Sequence, residues 1–326
     1  MRALIWITGL LAVLYAGYWV LGKRAVEQAA VAFFVAAPDS GLIAENTGLS
    51  VQGFPSRFDL TVSEPRLTHP RNGLQWYAPF LQILSLSYKP WHVIAAFPPS
   101  QTLQTPGEAL TLTSGKLQAS VVVTPNASVA LDRIAVVGSD LGLTSDLGWG
   151  LTAVEARLAT RADTTRTNAY EIGMDVTTLA LDATLAALLP DLPGTVEKLH
   201  FDALGTLSAP LDRTAGQTRP SLTALSVKAA QVTWGPLIAF AKGDLSVIQG
   251  VPEGRIDIRL QGWRALIPVA VRLGAITPEV APTMERMMEI LATSGGDPKV
   301  LEMPLVFANG LMSLGPLPLG PAPRLD

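Results

Sequence analysis

The chain contains no cysteine, which excludes disulfides, thiolate metal sites and cysteine nucleophiles. Charge is scarce as well. Only 16% of its 326 residues are Asp, Glu, Lys or Arg, against about 25% in an ordinary soluble domain. The 24 basic residues are scattered and the net charge is −3, so no basic stripe exists and nucleic acid is not an expected partner. Histidine is limited to His69, His92 and His200, each without a second ligand at metal-binding spacing, and they read as structural or surface residues. A Gly-x-Ser-x-Gly elbow, a phosphate-binding glycine loop and a dinucleotide fingerprint are all missing from the sequence. Asp175, Asp202 and Asp257 alternate with apolar residues, the pattern of a solvated sheet face rather than of paired catalytic carboxylates. The expectation is a protein without catalytic residues, metal or cofactor.

Charge is most conspicuously absent from Ala3 to Gly22. Twenty apolar or small residues in a helix reach about 30 Å, the thickness of a bilayer's hydrocarbon core. Leu4, Ile5, Trp6, Leu10, Leu11, Leu14, Tyr15, Tyr18, Trp19 and Leu21 form the body of this expected anchor. A cleaved secretory signal is the competing reading. Its apolar region is shorter, however, and the nearest small-residue site, Val35-Ala36-Ala37, lies beyond Lys23 and Arg24. A soluble core helix is a third reading, disfavoured by the lack of a polar face. Lys and Arg flanking the run count one against two, which slightly favours a cytoplasmic body, whereas the extreme N-terminal position resembles a signal-anchor and favours export. The expected location is a single pass of the bacterial inner membrane with a periplasmic body. Tyr15, Tyr18 and Trp19 suit the headgroup region. The helix should continue to about Ala37 and stop at Pro38-Asp39-Ser40-Gly41.

From Leu42 onward the dominant period is two. Strands are expected at Arg57–Val62, Ser128–Val137, Leu151–Thr160, Ala169–Leu179, Val196–Leu207 and Leu222–Trp234, and Ala109–Val123 reads as a hairpin turning at Ser114-Gly115. Arg255–Leu260 puts three apolar side chains on one face and three charges on the other. Helical spacing takes over at Asp182–Leu189, Trp263–Leu273 and Pro278–Thr293; the methionines of the last could pack on a sheet or adapt to a greasy ligand, and packing is the expectation. Strands return at Leu301–Phe307 and Leu311–Leu314 around Asn309-Gly310. The predicted class is a β-dominated α+β fold: a long N-terminal membrane helix, then a curved, mostly antiparallel sheet with a few packed helices. Residues 1–37 would be the anchor and its extension, and 42–326 one continuous β-rich domain. With 48% hydrophobic residues, the body must carry extra apolar surface in a large core or a groove.

Gly53-Phe54-Pro55-Ser56-Arg57-Phe58, Trp76-Tyr77-Ala78-Pro79, Tyr88-Lys89-Pro90-Trp91-His92-Val93 and the tail from Asn309-Gly310 to Pro321 resemble the alphaproteobacterial domain-of-unknown-function 2125 family over nearly the whole chain. That resemblance implies architecture and no activity. Gly53, Phe54, Pro55 and Arg57 can be read as a binding lip, but a bulge and a lost ladder donor explain them better. More distantly, anchor, body and tail resemble AsmA-like envelope proteins, which implies inner-membrane anchoring and lipid handling. The leading expectation is a non-catalytic protein beside the phospholipid bilayer, holding lipid or glycolipid in an apolar groove. The alternative is a membrane-tethered scaffold that recruits another envelope protein through exposed sheet edges. An enzyme comes third and would need polar residues converging in a pocket.

Overall fold

The computed structural model describes every residue except 273, 275, 316 and 326. The protein is strand-rich and antiparallel, with few helices and one long apolar helix at its start, as the alternation of side chains predicts. Helix α1 (Arg2–Ala36) runs unbroken through the apolar segment, and a 3-10 turn at Ala37–Ser40 ends on left-handed Gly41. Contacts divide the chain into two compact units, 1–125 with 136–148 and 126–135 with 149–326. Composition does not mark this division. No linker separates the units, because residues of one strand, Leu131–Ser145, belong to both.

In the first unit, α1 is followed by β1 (Ile43–Glu45), β2 (Gly48–Gln52), β3 (Arg57–Ser63), β4 (Arg66–His69) and β5 (Leu74–Tyr77). After these come β6 (Phe80–Leu86), β7 (Lys89–Ala96), β8 (Ser100–Gln104), β9 (Ala109–Thr113), β10 (Lys116–Val123) and β11 (Leu131–Ser145). The pairings show that the first ten are halves of five long strands in an up-and-down meander. β1 pairs with β4 and β2 with β3; β4 pairs with β5 and β3 with β6. The pattern continues as β5 with β8, β6 with β7, β8 with β9 and β7 with β10, and β9 closes on β11.

Each long strand breaks at the same level, where Asn46-Thr47, Pro65, Pro79, Pro98-Pro99 or Ser114-Gly115 interrupts the ladder. Proline has no N–H to give, so neighbouring breaks are matched to one another. Glu64 N donates to Pro79 O, Ala78 N to Pro65 O and Ser114 N to Pro99 O. The expected hairpin at Ser114-Gly115 is thus a correction: the two arms pair with other strands, and Ser114-Gly115 is a break within one strand.

The second unit is a sequential meander of β12 (Gly150–Ala162), β13 (Ala169–Leu181), β14 (Thr195–Leu207), β15 (Leu222–Trp234) and β16 (Leu237–Ile248). It continues through β17 (Val251–Gln261), β18 (Val300–Ala308), β19 (Leu311–Leu314) and β20 (Leu317–Pro321), each strand pairing with the next. Expected strands 151–160, 169–179, 196–207 and 222–234 all fall on these; 128–137 begins later than expected, at Leu131. Short helices α2 (Ala183–Leu188) and α3 (Ala215–Thr218) lie in connections, and Asp182 caps α2 by accepting from Leu185 N. A 3-10 turn at Trp263–Ala265 leads into α4 (Leu266–Arg272), then α5 (Ala281–Ser294). Leu273, the last residue of the helix expected there, lies outside the described residues.

Candidate functional site

Antiparallel register decides which side chains share a face. In the second unit one row runs Leu158, Met174, Phe201, Ala230, Ala241, Ile258, Met303 across β12 to β18. The row beside it reads Ala156, Val176, Leu199, Val232, Ala239, Leu260, Leu301. On the other side lie Thr160, Ile172, Ala203, Val227, Gly243, Ile256 and Leu305. These three rows carry no charge across seven strands. Seven strands at about 4.8 Å spacing make the strip about 29 Å long.

The strip is covered unevenly. In the middle, Val227, Leu245, Ile256 and Phe307 are buried together. Toward β18, α4 and α5 lie over it: Trp263, Ile267, Met284 and Ala292 pack on Leu301 and Met303. Arg264 fastens this cover by lying 4.6 Å over the Trp263 ring and pairing with Glu289 at 2.6 Å. Between cover and sheet is a cavity of about 150 Å³ with an apolar lining that includes Met284, Met288, Leu301 and Met303. A dry cavity of that size admits a small apolar group. The methionines expected to pack do so, and two of them also line this cavity. At the β12 end the strip is open, with Leu158 46% and Met174 36% exposed.

The opposite face holds most of the charges. Arg161 and Lys228 both reach Glu171, Lys228 approaches Asp202 at 3.8 Å, and Arg255 pairs with Asp257 at 2.6 Å. The Glu171 carboxyl is held below its usual range, first by the Arg161 hydrogen bond and then by that of Lys228. A groove of about 690 Å³ on this sheet is lined by Lys228, Phe240, Lys242, Arg255 and Arg259 against Asp257 and Glu302. His200 Nδ1 lies 2.7 Å from Asp175 Oδ1, a cross-strand pair that depends on register and that composition does not reveal. His92 Nε2 meets Ser120 Oγ at 2.9 Å. His69 Nδ1 is buried without a hydrogen-bond partner. Among the described residues no group of three or more His, Asp and Glu side chains is arranged to hold a metal.

The remaining residues singled out from sequence lie on α1, in the first unit's meander and in the tail. Leu4, Ile5, Trp6, Leu10, Leu11, Leu14 and Leu21 are exposed on α1, the one described helix long and apolar enough to cross a membrane. Trp19, expected near the headgroup level, is also buried against Val51, Phe58, Leu60 and Val62. The Tyr15 and Tyr18 hydroxyls bond to Ser87. Gly53, Phe54 and Pro55 form the β2–β3 turn, Arg57 opens β3 and pairs with Asp59, and Tyr88 stands in the β6–β7 turn with Pro90 just beyond. Trp76 donates to Gln101 at 3.0 Å, Pro79 lies at a strand break, and Asn309-Gly310 turns β18 into β19 with both φ angles positive.

An antiparallel meander with a charge-free strip on one face, preceded by an apolar helix of membrane-spanning length, defines the class of this protein. Over residues 19–323 the chain matches the family model described as an uncharacterized protein conserved in bacteria, DUF2125, and it belongs to that family. No curated protein and no solved structure matches it.

Proposed function

We propose that this is a non-catalytic envelope protein, anchored in the bacterial inner membrane by α1 with a periplasmic body, that shields lipid on the charge-free strip of its second unit. The carrying observation is the strip from Leu158 and Met174 toward Met303, open at one end and lidded by α4 and α5 at the other. Each acyl methylene buried there contributes about 0.8 kcal/mol. The methionines under the lid adapt their shape to irregular apolar chains. The distant likeness to AsmA-like envelope proteins points the same way, and the paired state of most charges on the opposite face suits a solvated surface rather than a reaction centre.

Native mass spectrometry of the full chain, released from mild detergent, tests this. Phospholipid or glycolipid should remain bound at a fixed ratio. A consistently lipid-free body, together with cross-linking to one stoichiometric protein, would replace the lipid reading with that of a tethered scaffold. A phosphatase reporter fused after Asp326 should be active outside the cytoplasm.

A further inference from the structure

Helix α1 lies along its own sheet in a way that fixes how deep the sheet's turns stand beside the apolar segment. The Trp19 indole stacks on Phe58 at 6.1 Å between centroids, meets Phe54 edge-on at 5.4 Å and donates its N–H to Arg57 O at 2.8 Å. The hydroxyl of the adjacent Tyr18 donates to Ser87 O at 2.5 Å, and one turn of helix earlier the Tyr15 hydroxyl lies 3.0 Å from Ser87 Oγ. These contacts begin seven residues before the end of the charge-free run, about 10 Å along the helix axis. Only Ala3–Leu14 extends free of the sheet, about 18 Å of helix against a hydrocarbon core of about 30 Å. A helix that crosses the membrane must therefore draw the segment carrying these turns to the lipid.

The turns are built for that position. Phe54 is 58% and Tyr88 66% exposed, and neither turn tip, Gly53–Ser56 or Ser87-Tyr88, contains a charge. Part of their backbone is paired internally: Arg57 N donates to Gly53 O and Ser87 N to Ser56 O, while Ser87 is fully buried and holds both tyrosine hydroxyls. Lipid-exposed irregular backbone is excluded from the hydrocarbon core itself, so turns of this kind belong at the interfacial level. Of the first charges above the tips, Arg57 pairs with Asp59 at 3.0 Å and Lys23 with Glu27 at 3.6 Å, and Lys89 directly follows Tyr88.

We propose that the β2–β3 and β6–β7 turns sit in the interfacial layer of the bilayer, with Phe54 and Tyr88 in contact with lipid, so that the helix and two hairpin tips together form the membrane attachment. This rests on reading α1 as the anchor and does not involve the second unit's apolar face. The absence of cysteine allows single labelling sites. Nitroxide labels at Leu10→Cys, Phe54→Cys, Tyr88→Cys and Leu147→Cys, in full-length protein reconstituted into phosphatidylethanolamine–phosphatidylglycerol vesicles, report depth by oxygen against nickel-chelate accessibility. Positions 10, 54 and 88 should favour oxygen several-fold over position 147, which lies in a turn at the opposite end of the same meander. Labels at 54 and 88 as aqueous as that at 147, with position 10 in lipid, overturn the inference and leave the anchor standing. An aqueous position 10 removes the anchor and the inference together. Tyr88 makes no hydrogen bond or ring contact among the described residues, so its substitution reads depth even if the change at Phe54 loosens the helix.

Discussion

Trp19 and Phe58 stack with their ring planes 28° apart, joining the apolar helix to β3 from within the charge-free run. Trp19→Ala removes this contact and should destabilise the first unit by about 3–5 kcal/mol, the usual cost of emptying a buried aromatic site. Trp19→Phe keeps much of the packing but leaves the Arg57 carbonyl without its donor, and should cost about 1–3 kcal/mol. Denaturant unfolding in micelles, followed through the β2–β3 region, orders the two variants. Equal losses would mean that the hydrogen bond, rather than the ring contact, dominates.

Gly22 is the second element of the same seam. A Cβ built there would fall 2.3 Å from Phe58 Cζ, so Gly22→Ala should push the ring aside at a cost of about 1–3 kcal/mol. Gly17 has nothing within 4 Å of such a Cβ, and Gly17→Ala should be neutral or gain up to about 1 kcal/mol of helix propensity. Opposite signs in parallel thermal melts are the expected result.

These two positions show what the sequence could and could not disclose. The helix to Ala36, the strands of the second unit and the Asn309-Gly310 turn were legible because period and turn chemistry are local. The burial of Trp19 was not, since an amphipathic ring serves a headgroup belt and a protein seam equally well. Ser114-Gly115 looked like a turn because strand breaks and hairpins use the same residues. Only the remote partner, Pro99 O, tells them apart. The charge-free strip becomes visible once register aligns Leu158 with Met174 and Phe201, and the His200–Asp175 pair emerges the same way.

In the second unit, Gly254 has φ of +141°, and an added Cβ would lie 2.3 Å from the Asp244 carbonyl oxygen of the neighbouring strand. Backbone cannot move aside as a side chain can, so Gly254→Ala should cost at least about 1–3 kcal/mol. Gly173, on β13 with open space beside it, is the control and should accept alanine without loss. Urea midpoints of the two variants decide the matter.

Glu171 gives a pH dependence with a definite sign. Its pKa in the folded protein is lowered by Arg161 and Lys228, so its contribution is present above the unfolded carboxyl pKa and is lost as pH falls through the folded value. The groups are exposed, and the effect is correspondingly small. Wild type should melt slightly above Glu171→Gln near neutral pH, and the gap should close between about pH 5 and pH 3. A gap that widened in acid would show that the carboxylate is not stabilised by its cations.

Leu158 and Met174 offer the sharpest separation of lipid binding from folding. Both side chains are exposed at the open end of the apolar strip, so Leu158→Glu or Met174→Glu should change stability by no more than about 0.5 kcal/mol. A carboxylate there faces the acyl chain's expected path and would have to be desolvated when the chain binds. Each variant should therefore lose most of its bound lipid in native mass spectrometry. Arg157→Ala removes a charge from the adjacent residue on the opposite face and should leave lipid retention unchanged. If all three variants keep lipid at the wild-type ratio, the lipid is held elsewhere, because a buried chain could not ignore a charge placed in its row.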